Sequence, residues 1–232
     1  MITYPIVDVI IPAYNEAQSI GKVVKSIPEG LVRDIIVCNN GSTDDTALNA
    51  REAGAIVVDQ PIRGYGNACL AGIRYISDRT QLGQPDIVVF MDGDYSDYPE
   101  EIPLILKPIL DGKDLVIGSR VLGKSENGAM TIPQQFGNWL ATHLIKIFLG
   151  FRFTDLGPFR AIRWQELLKL GMQDKTYGWT VEMQVKAVRL KLQCAEVPVS
   201  YRKRIGTSKV SGTIKGTILA GYKILWTIFK SI

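Results

Sequence analysis

Short apolar runs alternate with helix-length segments through the first half of the chain, and this alternation restricts the fold more than any other feature. The runs are continuously apolar, which is typical of strands buried on both faces. Such strands, separated by helices, predict an α/β fold: a doubly wound, mostly parallel sheet with helices on both faces. The predicted strands are Val7–Ile11, Asp34–Cys38, Ala55–Asp59, Asp86–Met91 and Asp114–Gly118, and the predicted helices between them are Glu16–Ser26, Asp45–Ala53, Gly66–Arg79 and Pro99–Asp111.

Polar clusters follow three of these strands. Tyr14-Asn15-Glu16 comes after the first, Asn39-Asn40-Gly41-Ser42 after the second, and Asp92-Gly93-Asp94 after the fourth. Ligands of open α/β sheets bind in the crevice outside the carboxyl ends of the strands. The sequence therefore predicts a site built from these three clusters.

The second half of the chain has a different organisation. A polar loop is predicted over Gly123–Gln135, and a basic loop over Arg202–Gly212. The other predicted elements are helices over Phe136–Leu149, Trp164–Leu170, Trp179–Leu190 and Thr213–Ile232 and a strand over Glu196–Tyr201. We therefore expect one domain over residues 1–211 and an appended amphipathic helix over residues 212–232.

Charge is distributed unevenly along the chain. The net charge is +4, but residues 201–232 hold seven Lys or Arg and no acid, which leaves the rest at −3. A basic tail on an acidic body favours an anionic partner such as a phosphate, a nucleic acid or a lipid headgroup. The alternative is a solvated basic face. Because basic and aromatic residues cluster little outside the tail, a nucleic-acid partner is disfavoured.

The final predicted helix bears on the membrane question. Its lysines, Lys215, Lys223 and Lys230, disfavour a transmembrane span. An apolar face with lysines at its margin fits a helix lying in a membrane interface. The alternative is packing on the domain or on a second copy of the chain, a homo-oligomer. Three widely spaced cysteines and an N-terminus unlike a signal peptide lead us to expect a cytoplasmic protein, peripheral on the membrane.

Asp92-Gly93-Asp94 carries the strongest chemical signal. Two carboxylates separated by one small residue after a buried strand can approach the same hard divalent cation. Mg²⁺ and Mn²⁺ prefer such oxygen ligands and often bridge to a diphosphate. Gly93 lets a ligand come close to the backbone. By itself the pattern is weak, because turns are rich in Asp and Gly.

Taken together, the motifs resemble family 2 glycosyltransferases, which have a nucleotide-sugar-binding GT-A fold. In the first half they are VIIPAYNE, IIVCNNGSTDDT, RGYGNA, VFMDGDYSDYPEE and VIGSR. In the second half FTDLGPFRAIR, YGWTVEMQVKA and EVPVSYRKRIGTSK resemble the polyprenyl-phosphate branch, the dolichol-phosphate mannose and glucose synthases. The resemblance covers roughly residues 5–210.

The resemblance implies a role for each matching residue. Asp92, Asp94 and Asp155 would be catalytic, and Asp92, Asp94 and Ser96 would hold Mg²⁺ or Mn²⁺. Asp155 falls where the branch has a carboxylate near the acceptor, and Arg160 belongs to the same segment. The expected substrate-binding residues are Pro12, Tyr14, Glu16, Val37, Asn39, Gly93, Arg120, Arg160, Arg202, Arg204 and Lys209.

Two departures from the family pattern bear on these roles. Asn39-Asn40 stands where the family has two aspartates, so the base of the donor is left open. The basic loop leaves open whether Arg202 or Arg204 contacts phosphate. The implied function is inverting transfer of one sugar from a nucleotide-diphosphate sugar to a polyprenyl-type lipid phosphate at the cytosolic membrane face. The alternatives are transfer to a glycan or lipid hydroxyl and a non-catalytic nucleotide-binding scaffold.

Overall fold

The computed structural model of the protein describes residues 5–79 and 83–206, together with residues 222, 225–227 and 230. Seven strands and seven α-helices lie in these ranges, with a 3₁₀ turn at Pro99–Glu101. The strands are β1 (Val7–Ala13), β2 (Asp34–Asn39), β3 (Ile56–Asp59), β4 (Ile87–Phe90), β5 (Leu115–Ser119), β6 (Arg160–Arg163) and β7 (Cys194–Pro198). The helices are α1 (Ile20–Ser26), α2 (Thr46–Glu52), α3 (Tyr65–Ser77), α4 (Ile102–Leu110), α5 (Ile132–Leu149), α6 (Trp164–Leu170) and α7 (Trp179–Arg189).

The described strands form one sheet in the order β3-β2-β1-β4-β6-β5-β7. Neighbouring strands are parallel except at β6, which runs antiparallel to both β4 and β5. One apolar core gathers side chains of α3, α5, α6 and α7, and the other gathers those of α1, α2 and α4. The prediction of a doubly wound, mostly parallel sheet with helices on both faces is therefore confirmed.

The order of the strands fixes where a ligand can enter. The chain passes from β1 to β2 and β3 on one side, and then returns to β4 on the other side of β1. This reversal opens a crevice at the carboxyl ends of β1 and β4. Tyr14 and Asp92 follow these two strands closely, so the first and third polar clusters meet there.

Strand β6 was not predicted. Its four residues, Arg-Ala-Ile-Arg, carry a charge at each end and lack a strand-like apolar run. Arg160 is nevertheless completely buried, because its guanidinium donates to the carbonyl oxygens of Leu156, Gly157 and Thr180. These carbonyl partners allow a charged residue to occupy a central strand.

Several element boundaries also differ from the predictions. Helix α1 begins at Ile20 because Glu16 is held before it, its backbone N–H donating to Thr46 Oγ1 at 2.8 Å. Helix α5 begins at Ile132, inside the predicted loop, since Thr131 and Gln134 form a reciprocal capping box. Strand β7 ends at Pro198, and Tyr201 makes isolated bridges to Asp97 and Ser125.

Among the described helices, none combines the length and the apolar character needed to cross a bilayer. The predicted C-terminal helix lies mostly outside the described residues, and those of its residues that are described are helical. The division at residues 211 and 212 therefore stays a prediction.

Candidate active site

A first cavity of about 300 Å³ occupies the crevice at the carboxyl ends of β1 and β4. It combines residues from the β1 and β4 ends with residues from four other segments: the loop after β2, the start of α3 with the loop before it, the loop before α7 and the loop after β7. Its lining consists of Pro12, Ala13, Tyr14, Glu16, Asn40, Arg63, Gly64, Tyr65, Ala68, Asp92, Gly93, Asp94, Tyr177 and Arg204. Seven of the residues expected from the sequence are therefore brought together: Pro12, Tyr14, Glu16, Asp92, Gly93, Asp94 and Arg204.

Asp92 and Asp94 line the first cavity, and a third acid, Asp97, lies beside Asp92. The Asp92 backbone N–H donates to Asp97 Oδ2 at 3.3 Å. Asp94 Oδ1 accepts from the backbone N–H of Ser96 at 2.9 Å and from the Ser96 hydroxyl. Tyr95 between them has a left-handed φ of 65°, a conformation that is costly for an aromatic residue. This turn brings the three acids close together in the structure.

Burial and mutual repulsion both disfavour the ionised form of these carboxylates. Desolvation and then the charge of Asp94 raise the pKa of Asp92 to about 7, against the lowering effects of Arg204 and the Tyr65 hydrogen bond. Desolvation and the charges of Asp92 and Asp94 also raise the pKa of Asp97 well above its usual value. An arrangement of this kind stores electrostatic free energy that a cation would release.

The donor atoms fit a hard divalent cation. Asp92 Oδ1 and Asp97 Oδ1 are buried and accept no hydrogen bond from any described residue. Within the described ranges, no three His, Cys, Asp or Glu side chains converge to enclose an ion by themselves. A cation bound by Asp92 and Asp94 would therefore complete its shell with water and ligand oxygens, as Mg²⁺ usually does. The Ser96 hydroxyl, the third expected ligand, is directed at Asp94.

Arg204 is the cation that the structure brings to these acids. Its guanidinium lies 2.6 Å from Glu16 Oε1 and 3.2 Å from Asp94 Oδ2. The backbone supports this position, since the Ile205 N–H donates to the Asp94 carbonyl at 2.9 Å. Arg204 therefore lines the first cavity beside the acids, where it could contact an anionic ligand.

Arg202, two residues earlier, has a different place. Its guanidinium lies over the rings of Tyr95 and Tyr98, 3.4 and 4.1 Å from their centroids. Nε donates to the Tyr95 carbonyl at 2.6 Å, and Nη2 donates to the Asp97 carbonyl at 3.2 Å. Arg202 thus fastens the basic loop to the turn that presents the acids. Lys209 lies outside the described residues.

The other end of the first cavity is formed by aromatic and amide side chains. The Arg63 guanidinium lies 4.2 Å from the centroid of the Tyr14 ring. Asn40 Oδ1 accepts from the Gly64 N–H at 2.7 Å, and its amide donates to the Ile62 carbonyl at 2.8 Å. Asn40 therefore positions the loop that carries Arg63.

The two expected residues of β2 do not line the first cavity. Val37 is completely buried in the core, on the face of the sheet that carries α1, α2 and α4. Asn39 turns to the neighbouring strand, where its amide donates to Asp59 Oδ1 at 2.7 Å. Of the pair Asn39-Asn40, it is Asn40 that lines the cavity.

Seven lining residues were not predicted as site residues, and four of them carry polar side chains: Asn40, Arg63, Tyr65 and Tyr177. The glycines of the RGYGNA segment were the available signal. A Cβ on Gly64 would lie 2.1 Å from the Lys175 carbonyl oxygen, and one on Gly66 would lie 1.9 Å from that of Asp174. Only glycine allows this approach of the 174–177 loop, which brings Tyr177 to the cavity.

A second, larger cavity of about 720 Å³ lies beside the first, between α5 and the loop that follows β5. Arg120, Lys146 and Arg152 contribute cationic side chains to it, and Glu126 is the acid in its described lining. The positive charge of Arg120 also acts on Asp92 and Asp97, where it partly offsets the rise in their pKa values. Arg120 therefore lines the second cavity within electrostatic reach of the acids at the first.

Asp155 holds Arg120 in this place. Its two carboxylate oxygens accept from Nε and Nη2 of Arg120 at 2.8 and 2.7 Å, and Oδ2 also accepts from the Arg120 backbone N–H at 2.8 Å. Burial opposes the guanidinium charge, but Asp155 outweighs it and raises the pKa of Arg120 above its usual value. Asp155 itself is completely buried.

The loop around Asp155 is held by side chains of α7 and β7. Gln184 of α7 donates to the Asp155 carbonyl at 2.9 Å, and Glu196 of β7 accepts from the backbone N–H of Thr154 and of Asp155. Arg160 supports the same loop through the carbonyls of Leu156 and Gly157. Burial lowers the pKa of Arg160 to about 10. Arg160 lines neither cavity.

Comparison with known proteins agrees with this architecture. The sequence model described as glycosyl transferase family 2 matches residues 8–171. An undecaprenyl-phosphate mannosyltransferase of Micrococcus luteus is 31% identical over 222 residues, which cover 89% of this chain and 88% of the relative. A dolichyl-phosphate hexose transferase of Haloferax volcanii is 33% identical over 216 residues, which cover 90% of this chain and 88% of the relative.

A solved structure extends the comparison to three dimensions. Glucosyl-3-phosphoglycerate synthase of Mycobacterium tuberculosis, crystallised with Mn²⁺, UDP-glucose and phosphoglyceric acid, superposes with a TM-score of 0.76. The sequence identity is 25%, and the match covers 98% of this chain and 79% of that protein. The GT-A fold and the resemblance to the polyprenyl-phosphate branch are both confirmed. The chain is therefore a glycosyltransferase and belongs to glycosyltransferase family 2.

Proposed function

We propose that this enzyme transfers a single sugar from a nucleotide-diphosphate sugar to a polyprenyl-type lipid phosphate, with inversion at the anomeric carbon. The donor occupies the first cavity, and the acceptor phosphate occupies the second. The position of Arg120 carries this proposal. It lines the second cavity, it is held by Asp155, and its charge reaches the acids of the first cavity.

In the proposed reaction, an oxygen of the acceptor phosphate attacks the anomeric carbon as the bond to the diphosphate breaks. Arg120 holds the attacking phosphate, and Arg204 stabilises the negative charge of the leaving diphosphate. Asp92 and Asp94 would hold Mg²⁺ or Mn²⁺, which supplies Lewis-acid charge stabilisation when bound. Pro12, Tyr14 and Asn40 border the nucleoside end of the donor.

The surroundings of Asp155 favour a phosphate acceptor over a hydroxyl acceptor. A hydroxyl would need a general base, whereas a phosphate is already ionised near neutral pH. Asp155 meets the requirement for a base poorly, because its oxygens accept from three donors of Arg120. The cationic lining of the second cavity also suits a phosphate. In this proposal Asp155 is a positioning residue, which holds Arg120. The proposed location of the reaction is the cytosolic face of the membrane.

The direct test offers labelled nucleotide sugars together with a short-chain polyprenyl phosphate or with the corresponding alcohol. We expect a lipid-linked sugar with the phosphate, no product with the alcohol, and loss of transfer when EDTA is present. Product from the alcohol would favour the hydroxyl-acceptor alternative. Absence of transfer from every donor, with the nucleotide still bound, would favour a non-catalytic scaffold.

The acid cluster predicts how pH and a divalent cation affect stability. Because the pKa of Asp92 is about 7 in the folded chain, against 3.8 ordinarily, the folded state binds more protons between these values. The free energy of unfolding of the metal-free chain should therefore fall as pH rises across this interval. Mn²⁺ binds the ionised carboxylate, so the rise in Tm that it causes should be larger at about pH 8 than at about pH 6.

The comparison variant for this prediction is Asp92→Asn, which removes the titrating group. Thermal unfolding of both chains over the same pH series, with and without Mn²⁺, separates Asp92 from the other acids. The variant should show a smaller decrease with pH and a weaker response to Mn²⁺. Equal curves for both chains would contradict the assignment of Asp92 to the cation site.

Arg204→Ala should weaken donor binding. The substitution removes a charge-assisted contact worth about 1.5–3 kcal/mol, which corresponds to roughly a ten- to hundredfold rise in the donor KM or Kd. Lys203→Ala is the matched control, since it removes the same charge from an exposed neighbour. Calorimetric titration with the nucleoside diphosphate measures both. Equal affinity in the two variants would show that Arg204 does not contact the donor and only pairs with Glu16 and Asp94.

A further inference from the structure

Thr227, near the end of the chain, packs against the domain. It is 8% exposed, whereas Tyr222 is 64% exposed and Trp226 is 51% exposed. An α-helix turns by about 100° per residue, so Tyr222 and Trp226, four positions apart, share a face to which Thr227 does not belong. Their rings stack, with centroids 6.4 Å apart. The C-terminal segment therefore turns this aromatic pair outward and Thr227 towards the domain.

Gly178 is the residue that Thr227 meets. A Cβ on Gly178 would lie 2.6 Å from Thr227 Oγ1 and 2.6 Å from Asp174 Oδ2. The φ of Gly178 is −80°, which every residue can adopt, so it is space and not backbone conformation that requires a glycine here. The backbone of Gly178 thus lies directly against the Thr227 side chain, without room for a methyl group.

The 174–177 loop, which ends directly before Gly178, is braced by two buried acids. Asp174 Oδ1 accepts from the backbone N–H of Thr176 at 2.7 Å and from that of Gly178 at 3.2 Å. Glu182 Oε2 accepts from the Asp174 N–H at 2.7 Å. Because a hydrogen-bonded network of this kind transmits a displacement, a shift of Gly178 moves the loop as a whole.

The same loop forms part of the wall of the first cavity. The backbone N–H groups of Gly66 and Asn67, at the start of α3, donate to two carbonyls of the loop at 3.2 and 3.0 Å. Tyr177, the last residue of the loop, lines the cavity itself. A continuous set of contacts therefore runs from Thr227 through Gly178 to the cavity wall.

We propose that the C-terminal segment supports the donor site, with Thr227 as a positioning residue that holds Tyr177 in the wall of the first cavity. This support deepens the proposed function, on which it rests for the identity of the ligand as a sugar nucleotide. The described lining of the second cavity contains neither Thr227 nor Gly178. Loss of the contact should therefore weaken donor binding and leave acceptor binding unchanged.

A purely structural role of Thr227 leads to a different result. Packing that only stabilises the domain would, when lost, lower Tm without distinguishing between the two cavities. A positioning role instead changes the donor Kd and leaves the acceptor KM as it was. The comparison of these two constants therefore separates the two roles.

The first test measures donor binding to full-length chains by calorimetric titration. The probe is Mn²⁺ together with UDP, GDP, ADP or CDP, whichever binds the unchanged chain most tightly. Thr227→Phe forces a larger side chain against Gly178 and should raise the Kd at least about tenfold. Trp226→Ala is the matched control, since it removes more volume from an exposed neighbour, and should stay within about twofold. A Kd within about twofold for Thr227→Phe would overturn the proposal.

A double-mutant cycle examines the contact itself and does not depend on the folding of Thr227→Phe. Gly178→Ala places a methyl group where Thr227 Oγ1 lies too close, so it should also weaken donor binding. Thr227→Ala removes that oxygen and, in the Gly178→Ala chain, should recover at least about threefold in Kd. Effects of the two substitutions that simply multiply would show that the contact carries no coupling and would overturn the proposal.

Hydrogen exchange without any nucleotide gives a readout that is independent of the donor. The amides of Gly66 and Asn67 lose their partners when the loop shifts, so Thr227→Phe should speed their exchange at least about tenfold. The amides of Asp155 and Leu156, which donate to side chains of β7 and α5, should exchange at their original rates. Equal acceleration in both regions would indicate general loss of stability and would contradict the positioning role.

The combined results separate failure of this support from failure of the proposed function. In transfer assays, Thr227→Phe should raise the donor KM at least about tenfold and leave the acceptor KM within about twofold. Faster exchange at Gly66 and Asn67, in a chain that binds none of the four nucleoside diphosphates, would contradict the proposed function and leave the support of the cavity wall intact. Unchanged exchange together with an unchanged donor Kd would contradict the support and leave the proposed function intact.

Discussion

Replacement of Asp94 by Asn is expected to lower kcat about a thousandfold while the fold stays intact. The neutral amide keeps the size of the side chain and can still accept from the Ser96 N–H, so the turn after β4 should survive. What is lost is one of the two negative charges that would hold the divalent cation against the donor diphosphate. Charge stabilisation of this kind is worth several kcal/mol in the transition state.

The measurement is steady-state transfer to the short-chain lipid phosphate, over a range of Mn²⁺ concentrations that saturates the unchanged enzyme. Asp111→Asn is the matched control, because Asp111 is an exposed residue at the end of α4. Near-UV circular dichroism and Tm check the fold of both variants. Full activity of Asp94→Asn at limiting Mn²⁺ would exclude Asp94 as a metal ligand.

Replacement of Asp155 by Asn is expected to destabilise the fold by about 3–5 kcal/mol and to weaken acceptor binding. The Arg120 side chain is 11% exposed, and the substitution would leave its guanidinium without its counter-charge. The amide nitrogen would also face a donor, since Arg120 donates to both carboxylate oxygens. Denaturant unfolding measures the first effect.

A matched substitution is available at the Asp114–Arg163 pair. These side chains are 23% and 39% exposed and lie 3.8 Å apart. Asp114→Asn should therefore cost at most about 1 kcal/mol. A similar loss of stability in both variants would contradict the buried, paired state of Asp155.

Kinetics separate a positioning role of Asp155 from a role as general base. If Asp155 positions Arg120, Asp155→Asn raises the acceptor KM and leaves the shape of the pH profile unchanged. If Asp155 is the base, the acidic limb of the profile, which reports its ionisation, disappears. The second result would support the hydroxyl-acceptor alternative.

The candidate site was predicted where motif and strand end coincide. Asp92 and Asp94 follow a strand whose residues are all buried, so their position at the edge of the sheet follows from the apolar pattern. The second motif was less informative. The orientation of these two side chains depends on other segments. The Asn39 amide donates to Asp59 of β3, and the Asn40 side chain forms hydrogen bonds with the backbone of the 60–64 loop.

The different positions of Arg202 and Arg204 could not be predicted from the local sequence either. Arg202 and Arg204 are separated by one residue, and both match a phosphate-binding loop. Their difference comes from the partners: two tyrosine rings lie beside Arg202, whereas Glu16 and Asp94 lie beside Arg204. These partners are about a hundred residues or more away along the chain, beyond the reach of a local pattern.

By itself, the sequence determined the α/β class, the strands β1 to β5, and the cluster of acids at the end of β4. These features depend on local periodicity and on residue type, which every segment carries within itself. The tertiary structure decided the insertion of β6, the pairing of Asp155 with Arg120 and the second cavity beside α5. They depend on burial and on hydrogen bonds between distant segments, because a charged residue enters a core only where other parts of the chain supply its partners.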